Sequence, residues 1–361
     1  MPFTARRAAL RELLLAADVD ALLVTDLVNI RYLTGFTGSN AALLVDAGGD
    51  AASRFGTDGR YRTQAQAQVP DLERIEDRAT AVAVAAAAHG LGVRRLGFES
   101  DAVSVDAHAA LDAAAEGVTL RRAPGLVQRL RLVKDDGEVA ALRAAGAAAD
   151  AALADLLAAD GLRPGRTERD VALDLENRMR GHGAQGPAFE TIVAAGEHSA
   201  VPHHRPTHTV LRAGDLVKMD FGALLGGYHS DMTRTVVLGA AAGWQRELYD
   251  LVAAAQRAGR AALAPGADVV DVDAAARTVC EDAGRGEEFL HGLGHGVGLQ
   301  IHEAPSLART GTGTLAAGMT VTVEPGVYLE GRGGVRIEDT LVVRDGGPDL
   351  LTRTTRELLE V

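Results

Sequence analysis

Val217-Lys218-Met219-Asp220-Phe221-Gly222-Ala223-Leu224-Leu225-Gly226-Gly227-Tyr228-His229-Ser230-Asp231-Met232-Thr233-Arg234-Thr235 reads as two β-strands joined at a pair of glycines. With the turn centred on Leu225 and Gly226, Asp220 and Asp231 face one another, their Cβ atoms about 4.5–5.5 Å apart. Like charges opposed across a strand pair are destabilising, so the pair calls for a shared proton or a cation between its members. A bridging metal is the stronger explanation. The plain alternative is an exposed hairpin with both acids in water.

Three clusters downstream bear on that choice. His291-Gly292-Leu293-Gly294-His295-Gly296-Val297-Gly298-Leu299-Gln300-Ile301-His302 spaces two histidines as a helix would, but its alternating glycines, each costing about 1 kcal/mol relative to Ala, favour a loop or an irregular strand. Three of the eleven histidines fall in this stretch, and no G-x-G-x-x-G register between a strand and a helix is available for a dinucleotide cradle. Thr320-Val321-Thr322-Val323-Glu324-Pro325-Gly326 leaves a carboxylate at a strand end. In Gly334-Val335-Arg336-Ile337-Glu338-Asp339-Thr340, period two puts Arg336 and Glu338 on one face. Either glutamate alone reads as an ordinary edge acid, yet a Glu among Val-rich strands is costly to bury unpaired.

The rest of the chain supplies the frame. At 361 residues it exceeds what one hydrophobic core usually fills, so two domains are expected, 1–130 and 131–361. The first reads as an α/β layer domain, with strands near 21–25, 41–46, 53–57, 73–76, 95–99 and 118–121 and helical stretches near 4–17, 59–68, 79–89 and 104–115. The second reads as α+β, with helices near 138–159, 168–180, 244–263 and 269–283 and strands near 190–195, 215–222, 229–238, 319–324 and 335–344. Helices followed by strands occur twice there, which suggests an internal duplication. Alanine abundance is read as compositional bias.

A formal charge of −12 argues against a nucleic-acid binder, which needs a concentrated basic face. Cys280 is the single cysteine, which excludes an intramolecular disulfide and a thiolate metal site. With no apolar run long enough to span a bilayer, no membrane association is expected, and cytoplasmic residence follows by elimination. Four carboxylates and one imidazole form a hard, oxygen-rich donor set suited to two divalent ions, Mn2+ first, with Co2+ or Zn2+ possible. Two dications balance four carboxylates and leave room for a bridging hydroxide that attacks an amide carbon.

These residues resemble the pita-bread metallopeptidase family, which comprises aminopeptidase P, prolidase, methionine aminopeptidase and the creatinases. The resemblance rests on Asp220 in M-D-F-G-A, Asp231 in Y-H-S-D-M-T-R-T, His295 in H-G-L-G-H-G-V-G, Glu324 in V-E-P-G-V-Y and Glu338 in G-V-R-I-E-D-T. It implies that these five are the metal ligands, Glu324 also acting as proton acceptor and donor. It further implies that His203, in S-A-V-P-H, contacts substrate, that His302 hydrogen-bonds the scissile carbonyl, and that His291 lines the proline pocket. Arg336 and Tyr328 orient the site, and His204 and His208 are structural. Asn29-Ile30-Arg31-Tyr32-Leu33-Thr34-Gly35-Phe36-Thr37-Gly38-Ser39-Asn40 and Thr57-Asp58-Gly59-Arg60-Tyr61 resemble the creatinase-like amino-terminal domain of proline-specific members, which implies a homodimer. The leading expectation is a small aminopeptidase P that removes the residue in front of proline from short peptides. The alternatives are a dipeptidase restricted to Xaa-Pro, a prolidase, and, more remotely, a catalytically silent peptide-binding module.

Overall fold

Ala21-Leu22-Leu23-Val24 and Ala41-Ala42-Leu43-Leu44-Val45 are apolar throughout, the pattern of strands buried on both faces, and in the computed structural model they pair antiparallel at the centre of a sheet. The structure describes residues 2–361, and the chain divides after Arg131 into two compact units. In the first, six strands lie in the order Glu73–Glu76, Arg54–Thr57, Ala41–Asp46, Ala21–Val24, Arg95–Phe98, Thr119–Arg122. Parallel and antiparallel pairs mix. Leu23, Leu44, Val84, Leu96 and Leu111 form its core.

The first half of the motif beginning at Asn29 lies on a helix, Leu27–Thr34, which the apolar pattern does not predict. Asp26 caps it by accepting from the backbone N–H groups of Val28 and Asn29, and Gly35 closes it at φ 79°. Two turns are too short for apolar periodicity to register, so capping residues were the available signal. Nearby, the buried Glu99 carboxylate accepts from Thr25 N, Asp26 N and Asn29 Nδ2. Burial still pushes its pKa up, to about 6.

The second unit is α+β and repeats one theme. Helices Asp136–Ala158 and Glu168–Gly181 share a core with the antiparallel sheet Met232–Val237, Leu216–Phe221, Ile192–Ala195. Helices Gly243–Ala262 and Val269–Asp282 share another with a sheet ordered Glu303–Leu307, Gly294–Gly296, Thr320–Val323, Asp339–Val342, Asp349–Leu350. Asp135 with Glu138 and Thr167 with Asp170 form capping boxes that fix where the first two helices start. Ala145, Ala148, Ala149 and Ala152 are buried at helical spacing, so part of what looked like compositional bias is a close-packed helix face.

Two expectations need correction. The turn of the hairpin sits at Gly226-Gly227, with φ 59° and 85°, and Leu225 pairs with Tyr228. Asp220 therefore faces Thr233 and not Asp231. Because both central residues need positive φ, the glycine pair itself is the favoured centre. Moving a turn centre by one residue moves each partner by two, which preserves the face, so Asp231 stays on the Asp220 side. The expected strand over 335–344 is also broken. Gly333–Arg336 pairs with Gly326–Leu329 in a separate two-stranded ribbon, and Asp339–Val342 joins Thr320–Val323, with Ile337 and Glu338 between.

Candidate active site

Each acid owes its position to an end or interruption of a strand. Asp220 lies near the end of the buried strand Leu216–Phe221, Asp231 just before Met232–Val237, Glu324 just after Thr320–Val323, and Glu338 in the break before Asp339–Val342. His295 sits mid-strand in Gly294–Gly296. A Cβ on Gly294 would stand 2.1 Å from the Thr322 carbonyl oxygen, and one on Gly296 2.1 Å from that of Ala304. Alternating glycines are thus what lets this strand squeeze between its neighbours, and they aim His295 where the acids converge.

All five side chains line one cavity of about 520 Å3. His295 Nε2 is 3.5 Å from Asp231 Oδ2 and 3.4 Å from Glu324 Oε1. Its Nδ1–H donates to the Gly296 carbonyl at 3.0 Å. Burial lowers the pKa of this imidazole, which favours its neutral form, and with Nδ1 donating, its Nε2 faces the carboxylates. Thr322 Oγ1 donates to Glu324 Oε1 at 3.1 Å, and Thr233 Oγ1 to Glu338 Oε2 at 2.6 Å.

The charges do not balance within the protein. Asp231 and Glu338 are 4% and 1% exposed, and Arg336, bonded to Asp220, is the guanidinium that faces the four acids. Burial, then repulsion from Asp220 and Glu324, drives the Asp231 carboxyl far above its usual range, and burial with Asp231 beside it does the same to Glu338. Glu324 rises to about 7, again chiefly by burial. Asp220 Oδ1 and Glu338 Oε1 are buried without a hydrogen-bond partner among the described residues. Orphaned oxygens in a cluster of acids are what a cation site looks like from the protein side, so the residues present fit divalent ions.

A hydrogen-bonded chain backs the cluster. Arg336 Nη1 donates to Tyr328 OH at 2.8 Å, Tyr328 OH donates to His291 Nε2 at 2.8 Å, and His291 Nδ1–H donates to the Gly292 carbonyl at 2.8 Å. Burial first, then Arg336, lowers His291 to about 3, which keeps it the neutral acceptor this chain requires. Arg336 also reaches Thr233 Oγ1 and the Pro202 carbonyl. His203, next in sequence, and His302 line the same cavity, the His302 ring edge-on to His295 at 4.5 Å between centroids. Glu303, adjoining His302, is anchored by the buried Lys134 at 3.1 Å.

Two features escaped the sequence reading. Lys218 is fully buried two residues from Asp220, donates to the carbonyls of Val201 at 2.6 Å and Pro202 at 3.2 Å, and lies over the Tyr328 ring. Burial, then repulsion from Arg336, lowers its pKa to about 6. A lysine among the apolar residues Leu216, Val217 and Met219 was the available signal. The other is a second group of metal-capable side chains, Glu168, His198 and His204, whose ligand atoms lie within 4.8 Å of one another. Glu168 already accepts from Ala195 N, Thr207 N, Thr207 Oγ1 and both imidazoles. The two rings stack at 4.3 Å and 29°, and the nitrogen of each that faces the carboxylate is taken up in its hydrogen bond to Glu168. This group pins the loop that carries His203. Burial alone would raise the Glu168 pKa, but its donors, led by Ala195 N–H, bring it to about 2.

Comparison with known proteins gives a consistent picture. Residues 140–345 match metallopeptidase family M24, and residues 6–133 match the creatinase/prolidase N-terminal domain. A Xaa-Pro dipeptidase from Pyrococcus horikoshii is 32% identical over 95% of this chain and 95% of its own. The structure of a Xaa-Pro dipeptidase from Bacillus anthracis superposes with a TM-score of 0.95 at 37% identity, covering 99% of this chain and 100% of that one. The structure of an X-Pro aminopeptidase from Thermotoga maritima gives 0.89 at 32% identity, covering 98% and 99%.

Proposed function

The chain belongs to metallopeptidase family M24, with a creatinase/prolidase N-terminal domain, and on that premise we propose that it hydrolyses the bond between a first residue and proline, preferring the Xaa-Pro dipeptide. The observation that carries this reading is the convergence of Asp220, Asp231, Glu324, Glu338 and His295 in one cavity, with two carboxylate oxygens left unpartnered. Those five would hold two divalent ions, manganese in the first instance. Bound there, the ions supply Lewis acidity and make water a nucleophile near neutral pH.

The side chains do the rest. Glu324 accepts the proton released by attacking water and returns it to the departing proline nitrogen. His302 donates to the scissile carbonyl oxygen as charge develops on it, an interaction typically worth about 3 kcal/mol. His203 contacts substrate from the opposite loop, and His291, held by Tyr328, forms a wall for the proline ring. Arg336 fixes Asp220, Tyr328 and the Pro202 carbonyl together.

On peptide length this ranking reverses the one drawn from sequence. Two of the three relatives described above are named dipeptidases and one an aminopeptidase. Arg205, ion-paired with Glu190 at 3.2 Å where both line the cavity, is the one arginine or lysine among its described lining residues, and it supplies a counter-charge for a C-terminal carboxylate. The test compares manganese-loaded turnover of Ala-Pro, Ala-Pro amide and Ala-Pro-Ala. The dipeptide is expected to lead the tripeptide by tenfold or more in kcat/KM. Arg205→Gln should raise KM for Ala-Pro severalfold and leave the amide unchanged. Equal or faster tripeptide cleavage restores the aminopeptidase reading.

A further inference from the structure

Along the helix Gly243–Ala262, Arg246, Asp250, Arg257 and Arg260 are separated by four, seven and three residues, the spacing of one helix face. They form one side of a second cavity, about 410 Å3, whose other side includes Arg356 and Glu357. Four guanidiniums against two carboxylates leave this lining at +2, within a chain of formal charge −12. Asp250 and Glu357 are exposed, whereas Arg260 and Arg356 are half-buried, so the inner lining is cationic.

The arginines differ in how they are satisfied. Arg246 pairs with Glu360. Arg356 Nη1 lies 3.3 Å from Asp339 Oδ2, but Asp339 is already taken up by Arg234 at 2.7 Å, Gln256 at 2.8 Å and Thr352 at 3.1 Å. Arg257 and Arg260 have no ion pair among the described residues, and Arg260 Nε is buried with no acceptor at all. Burial and the nearness of Arg356 both act against the charge on Arg260, and Asp339 offsets them only in part. A buried, unsatisfied donor on a charged group is costly.

We propose that this cavity binds a small phosphate-bearing anion, gripped by Arg260 and Arg356 with Arg257 at the mouth. A guanidinium presents paired N–H donors that match two phosphate oxygens, and three of them around one concavity outnumber the charge of the rim acids. The volume falls in the range of small-molecule sites.

Calorimetric titration of the metal-loaded full chain with inorganic phosphate and with pyrophosphate, at constant ionic strength, tests the assignment. The wild type should bind saturably, and Asp231→Asn, which disrupts the metal cluster, should bind equally well. Arg260→Met should weaken binding about tenfold or more. Arg257→Met, at an exposed position, should weaken it severalfold. Absence of saturable binding in the wild type overturns the proposal. So does binding that vanishes in Asp231→Asn but persists in both arginine variants, which places the anion at the metals. Capture by phosphatidylcholine vesicles containing phosphatidic acid, without binding of free phosphate, overturns it equally.

Discussion

Asp231 illustrates how a single residue is tied to the whole cluster: 4% exposed, 3.5 Å from His295 Nε2, and held among carboxylates that repel it. Asp231→Asn removes one ligand charge, so metal retained after dialysis should fall to one ion or fewer per chain and turnover by at least ~100-fold, with the far-ultraviolet circular dichroism unchanged. Full metal content in that variant would remove Asp231 from the ligand set. Lys218 acts one step further out. Its two hydrogen bonds hold the carbonyls of Val201 and Pro202, immediately before His203. Lys218→Met should therefore keep both ions and lower kcat about tenfold, because a small displacement of a positioned group is expensive in rate. A variant with wild-type kcat would show that the loop holds its place without Lys218.

At the scale of elements, the strand Gly294–Gly296 is closely fitted between its neighbours. Gly294→Ala would drive a methyl group to 2.1 Å from the Thr322 carbonyl, so the strand must part from Thr320–Val323. Overpacking of this kind typically costs about 1–3 kcal/mol, and since His295 rides on the same strand, metal affinity should fall along with the melting temperature. Unchanged thermal stability would mean that the neighbouring strand yields freely. In the amino-terminal unit, Glu99 caps the backbone ahead of the helix Leu27–Thr34. Its carboxyl titrates at about 6 when folded against its ordinary 4.5, so the acid form is favoured more by the folded chain. Its contribution to stability is complete below about pH 4.5 and is lost as pH rises through 6. Relative to Glu99→Gln, the wild type should lose on the order of 2 kcal/mol between pH 4.5 and pH 7. A parallel pH dependence in the two proteins contradicts this.

For the whole molecule, the four acids matter as one charge. Held together without a counter-ion they oppose folding, and a ligand that binds the folded state alone stabilises it by mass action. Chelation at pH 8 should lower the melting temperature of the full chain by several degrees, and manganese should restore it. A chelated protein that melts no lower than the loaded one would mean that the cluster bears its charge unaided. The internal repetition of two helices over an antiparallel sheet explains where the cluster sits. Asp220 and Asp231 come from the first half, and His295, Glu324 and Glu338 from the second.

Residue types and short-range order were enough to reveal the α/β and α+β units, the apolar strands, the helix faces and the chemistry of a hard, oxygen-rich donor set, because these depend on period, capping and side-chain character. Tertiary structure decided the rest. The break at Ile337-Glu338 turned on which neighbouring sheet claimed each half of the segment, and the role of Lys218 on carbonyls that lie 16 and 17 positions away. The meeting of Asp220 with Glu338, through Arg336 and Thr233, is likewise a matter of packing, because attraction and repulsion act across space between groups that the chain itself holds far apart.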